Sequence, residues 1–130
     1  MDKVVHFEIP ADDTARAKEF YGSIFDWQLA DADMGGGNMY TTLMTVPVDE
    51  KTRIPTEPGA INGGMLPRGE PVLHPIVTIT VDDVDSALAT IESLGGKAVV
   101  GRTPAGAMGF TGYAKDTEGN VIGLWESAAS

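Results

Sequence analysis

Val5–Ala17 reads VHFEIPADDTARA, and Pro75–Ala87 reads PIVTITVDDVDSA. Laid over one another at a shift of 70 residues, the Asp12-Asp13 pair falls on Asp82-Asp83, Ala17 on Ala87, Ile9 on Ile79 and Phe7 on Val77. The physics repeats along with the letters. Val5, Phe7 and Ile9 alternate with His6 and Glu8, and Val77, Ile79 and Val81 alternate with Thr78 and Thr80, which is the period of a strand. An acidic pair follows each run, suited to capping a helix and to its positive N-terminal dipole. Helical spacing comes next: Ala17, Phe20, Tyr21 and Ile24 in the first copy, Val84, Ala87, Leu88, Ile91 and Leu94 in the second. Gly95-Gly96 supplies a C-terminal stop.

Outward from these segments, each half continues in short strands and turns. In the first half strands are predicted near Trp27–Ala30, Met39–Thr45 and Ile61–Leu66, with a turn at Gly35-Gly36-Gly37 and a long polar loop over Val46–Pro58. In the second half they are predicted near Lys97–Arg102, Phe110–Lys115 and Val121–Trp125. A break over Thr103–Gly109 separates the first two, and the tight turn DTEG at Asp116–Gly119 separates the last two. Each half is therefore strand–helix–strand–strand–strand, about 1–68 and 72–130, joined by a proline-rich linker. The fold class is α+β.

At 130 residues the chain suits one domain. Lys and Arg number 9 against 19 Asp and Glu, a formal charge of −10. That balance argues against a nucleic-acid or anionic-membrane partner, since both need a basic footprint. With no cysteine, disulfides, thiolate metal sites and thiol nucleophiles are excluded. Neither a secretory leader nor a membrane-length apolar run is visible, and a cytoplasmic protein is expected. The glycine tracts lack the Lys-Ser/Thr ending of a phosphate loop. Arg53, Arg68 or Arg102 could still anchor a carboxylate locally.

A βαβββ module occurring twice in this length resembles the vicinal oxygen chelate superfamily, which includes glyoxalase I, extradiol dioxygenases, fosfomycin-resistance enzymes and bleomycin-binding proteins. The resemblance rests on His6, DDTARAKEFYGSIFDW (Asp12–Trp27), GAINGGMLPR (Gly59–Arg68), VDDVDSALATIESLGGK (Val81–Lys97) and AKDTEGNVIGLWE (Ala114–Glu126). It is closest to the glyoxalase-like branch. It implies curved mixed β-sheets around a cleft with the helices outside. Val5, Phe7, Ile9, Val77, Ile79 and Val81 then lie under the helices, while His6, Glu8, Ile76, Thr78 and Thr80 look into the cleft.

Metal-dependent members place four ligands in that cleft, one from the first and one from the last strand of each module. Carried over here, the positions are His6, Ile76, Gly63 and Gly123. Only His6 can bind an ion, and a lone ligand cannot repay an ion's desolvation. No metal cofactor is therefore expected. A displaced divalent-metal site would have to draw on His6, Glu8 and His74. Glu126 is expected to point away from the cleft.

The two glycines imply a widened cleft lined by Met65, Trp125, Met44 or Tyr40, and Phe110 or Tyr113. His6 is then either a ligand contact and general base or a structural histidine satisfied across the sheet. Glu8 needs a partner if it is buried. The expected function is binding of a small, partly apolar molecule without the usual ion. The alternatives are a lyase, isomerase or dioxygenase with an atypical site, or a drug-sequestering binder of the bleomycin-resistance kind. A homodimer is expected, because the sheet edges need covering.

Overall fold

The computed structural model describes residues 1–33 and 39–128. The predicted turn at Gly35–Gly37 lies outside them. The elements run β1 (Val4–Ala11), α1 (Thr14–Phe25), β2 (Gln28–Asp33), β3 (Met39–Met44), β4 (Asn62–Pro67), β5 (Ile76–Thr80), α2 (Val84–Ser93), β6 (Lys97–Ala105), β7 (Gly109–Lys115) and β8 (Val121–Ser127). This is the repeated strand–helix–three-strand pattern expected from the sequence.

The repeated acidic pairs do what their spacing implies. Asp13 and Asp83 are the N-caps, with extended backbones and side chains that accept from the Arg16 and Ser86 amides. Each satisfies a backbone donor that the first helical turn leaves without a partner. After α2 the chain turns through Gly95 at φ 100°, a conformation that a side chain would strain. The DTEG turn closes on Asp116, whose Oδ1 accepts from the amides of Glu118 and Asn120.

All eight strands belong to one sheet in the order β2-β3-β4-β1-β5-β8-β7-β6. Within each half the first strand pairs parallel with the last, β1 with β4 and β5 with β8. The halves meet where β1 pairs antiparallel with β5. The order reads the same from either end, as a duplicated half-fold requires. It bends into a mixed, curled half-barrel with both helices on one side.

Each helix covers its own half. Under α1, Ala11, Leu43 and Met65 are buried against Phe7, Ile9, Ala17, Tyr21, Trp27 and Leu29. Under α2, Val84, Leu88, Ala114 and Leu124 are buried with Val81, Ala87, Ile91, Ala98 and Ile122 around them. Neither helix reaches the β1–β5 seam. Val77 is therefore 45% exposed and Val5, at a bulge in the pairing, 37% exposed, contrary to the expectation that both lie under helices.

The α1 stripe is also rotated from the one expected. Ala17 and Tyr21 pack inward, but Phe20 and Ile24 are 59% and 62% exposed. In this rotation Tyr21 stacks on Trp27 with ring centres 5.4 Å apart, and Lys18 reaches Asp31 on β2 at 2.9 Å. Strand β6 runs on through Pro104, where a break was expected. It is an edge strand, and an edge tolerates a residue without an amide hydrogen.

Candidate functional site

The strand registers define which residues share the face opposite the helices. One row crosses the seam as Asn62, His6, Thr78, Gly123 and Tyr113. Glu8 and Ile76 pair in the neighbouring row, flanked by Gly64 and Thr42 on one side. On the other side of that row Val121 pairs with Lys115. Tyr40 and Met44 alternate with core residue Leu43 and so face the same way, as Trp125 does beside Thr111 and Thr80.

Glu8 is the centre of this face. It is only 6% exposed, and its two oxygens are held from opposite halves of the chain. The Tyr40 hydroxyl donates to Oε2 at 2.7 Å, and the Tyr113 hydroxyl donates to Oε1 at 2.5 Å. His6 Nε2 lies 2.8 Å from the Tyr40 oxygen. Because the phenol proton goes to the carboxylate, the imidazole donates Nε2–H to that oxygen. His6 Nδ1 has no protein partner among the described residues. Burial holds the His6 pKa below its ordinary value, against the opposing pull of Glu8, so the ring is neutral at physiological pH. Burial and the adjacent carboxylate push both tyrosines above the ordinary phenol range, so they stay protonated donors.

Asn62 anchors the rim of the face. Its Oδ1 accepts from the Thr45 and Val46 amides, and its Nδ2 donates to the Val46 carbonyl. This ties the start of the long loop to β4 and buries Val46.

Several expected cleft residues lie elsewhere. Gly63 faces α1: a Cβ there would meet the Phe7 ring at 2.6 Å. The cleft-facing glycine is Gly64, where a Cβ would collide with the Tyr40 hydroxyl and ring. Counting from the turn glycines misplaced this position by one residue, and one residue reverses the face. The registers Glu8↔Gly64 and Thr78↔Gly123 set the true equivalence. Met65 pairs with Ile9 and is fully buried under α1, not in the cleft. Phe110 also faces the helix side, with the Arg102 guanidinium 3.4 Å over its ring.

Nor is the cleft cleared by its glycines. Tyr40 lies over Gly64, and Thr78 Oγ1 would be 2.6 Å from a Cβ on Gly123. Glu126 points away from the cleft as expected. It accepts from the Val84 amide at 2.9 Å and from Arg102 at 2.7 Å.

The residues at the carried-over ion positions do not fit a divalent ion. They offer one imidazole whose Nε2 is committed to Tyr40, an isoleucine and two glycines. The displaced combination is not assembled either. His74 stands on the linker edge, and among the described residues no three His, Asp or Glu side chains form a group able to hold an ion. Sequence reasoning missed Gly64 and the pairing of both tyrosines with Glu8. The available signal was a glutamate beside His6 on the inward line, with no cation near it in the sequence.

Comparison with known proteins agrees with this architecture. The model of the Glyoxalase/Bleomycin resistance protein/Dioxygenase superfamily matches residues 3–124. The chain belongs to that superfamily. It is 29% identical over 121 residues to a Mycobacterium bovis protein named "Putative glyoxylase CFP32", covering 92% of this chain and 44% of that protein. The chain thus spans under half the length of the curated relatives it matches. A hypothetical protein, BH1468 of Bacillus halodurans, shares the fold at TM-score 0.67 and 13% identity, over 99% of this chain and 96% of that one. So does methylmalonyl-CoA epimerase in complex with methylmalonyl-CoA and NH4+, at TM-score 0.67 and 18% identity, over the same shares. Methylmalonyl-CoA epimerase from Mycobacterium tuberculosis follows at TM-score 0.61 and 19% identity, over 96% of this chain and 87% of that one.

Proposed function

We propose that this superfamily member binds a small, partly apolar molecule on its concave face without the ion that metal-dependent relatives use. The observation carrying this reading is the buried Glu8 carboxylate, bridged by hydroxyls from both halves where an ion cage would need further donors. Two phenol donors leave lone pairs on Glu8 free to accept from a ligand. His6 Nδ1 offers a further acceptor. Trp125, Met44 and Ile76 give the apolar contact that flexible and aromatic side chains make well. The protein works in the cytoplasm, and a second copy covers the exposed edges at β2 and β6.

A second reading, acid–base catalysis, is favoured by one feature. The directed chain from His6 through Tyr40 to Glu8 leaves a neutral imidazole with a lone pair facing no protein group. That is the state a general base needs. Glu8 and Tyr40 would orient the ring, and His6 would take the proton.

Metal analysis of protein purified without chelators tests the ion-free reading. Substoichiometric divalent metal, and a Tm unmoved by EDTA, are expected. Stoichiometric metal that disappears in His6→Ala would overturn it. Thermal-shift screening then separates small-molecule binding from drug sequestration. Stabilisation by small neutral or weakly polar compounds supports the proposal, whereas stabilisation only by bulky cationic drugs favours sequestration.

A further inference from the structure

A cavity of about 250 Å³ lies between the linker and the β7–β8 turn, where β5 begins. Ile76, Val121, Leu73 and Pro75 supply its apolar lining. Lys115 and His74 also line it, and among the described residues neither side chain takes part in an ion pair or hydrogen bond. By contrast Lys18, Arg68 and Arg102 are each tied to a carboxylate. Glu70 stands at the same rim.

The walls are fixed before any ligand arrives. Arg68 donates to the Leu73 carbonyl at 2.5 Å and to Asp12 at 2.8 Å. Gly69 and Val72 exchange backbone hydrogen bonds. On the other side Asp116 holds the turn, and its own carboxylate is occupied by the Glu118 and Asn120 amides and the Asn120 side chain. A preorganised cavity avoids the ordering cost of binding.

We infer that this cavity is a binding site for a small organic monocarboxylate with an apolar body, its carboxylate on Lys115 and His74 and its body on Ile76 and Val121. The volume lies below the roughly 300 Å³ at which drug-sized pockets begin, so the ligand is fragment-sized. Glu70 disfavours a dianion. The overall charge of −10 does not prevent this, because charges farther off than about 8 Å are largely screened at physiological salt. The cavity adjoins the Glu8 cluster through Ile76, the register partner of Glu8, but its charged end at Lys115 and His74 uses neither Glu8 nor the two tyrosines.

Phenylacetate is the probe, with 2-phenylethanol and 2-phenylethylamine as its neutral and cationic counterparts, followed on the full chain by amide chemical shifts. Phenylacetate is expected to shift Leu73, Ile76, Asn120 and Val121, with the alcohol and amine binding more weakly. Lys115→Met, a change at an exposed side chain, is expected to weaken phenylacetate by about tenfold, the loss of one charge-assisted hydrogen bond. His74→Gln weakens it less. Equal binding of the alcohol, an unchanged affinity in Lys115→Met, shifts confined to Tyr40 and Tyr113, or no binding at millimolar phenylacetate would each overturn the assignment.

Discussion

Tyr113 donates its hydroxyl to Glu8 at 2.5 Å although 105 residues separate them in the chain. The contact exists because β1 and β7, from different halves, both turn toward the same concave face. Tyr113→Phe leaves Oε1 of a buried carboxylate without a donor. A loss of about 1–3 kcal/mol in unfolding free energy is expected, read from urea denaturation. Tyr40→Phe should cost at least as much, since it also deprives His6 of an acceptor. The double variant should depart from the sum of the two, because both act on one carboxylate.

Gly64→Ala puts a methyl group where the Tyr40 ring lies. Tyr40 must leave Glu8 or β4 must shift, and a destabilisation of about 1–3 kcal/mol is expected for such overpacking. Adding Tyr40→Phe should recover little, since the ring itself collides. Adding Tyr40→Ala should recover part of the loss. Denaturation midpoints for the set decide the matter.

His6 gives the molecule a pH dependence of definite sign. Its folded pKa lies below the ordinary 6.5, so the unfolded chain takes up the proton first. The stability this histidine contributes is complete above pH 6.5 and is lost as pH falls from there through the lower folded value. His6→Gln should flatten that part of the profile. Thermal melts between pH 5 and 8 would show it, and an unchanged slope would refute it.

Glu126 carries the opposite end of the acid range. Hydrogen bonds from Arg102, then from the Val84 amide, pull its pKa down to about 2. Its contribution is present above its ordinary value of 4.5 and is lost as pH falls toward 2. Glu126→Gln should therefore lower Tm at neutral pH and converge with the parent near pH 2. Helix α2 should fray first, because Glu126 satisfies an amide in its opening turn. Amide exchange at Val84 would report that fraying.

The repeat was legible because strand alternation and helix caps are local signals. Val5–Ala17 and Pro75–Ala87 carry both, and the topology follows from having the unit twice. The face of α1 was not legible. Residues 17, 20, 21 and 24 suit two helical stripes, and which one is buried depends on tertiary packing such as Tyr21 on Trp27. Gly63 and Gly64 show the same limit in a strand. The turns that end at Gly59 and Gly119 feed their strands with a one-residue difference, and only the pairing with β1 and β5 reveals it. Met65 was misplaced by the same slip; Phe110 and Tyr113 have opposite parity on β7, and only the pairing with β8 shows that Tyr113 is the inward one. The Glu8 cluster combines three strands from distant parts of the chain, so neither half predicts it alone.

The seam between β1 and β5 has a consequence for how the chain holds together. Each of these strands is an interior strand only because the other half supplies its second neighbour. Cut in the linker, the two fragments would each expose a naked edge at the middle of the curl. They should stay unstructured or self-associate when produced singly, and regain the native circular dichroism spectrum when mixed.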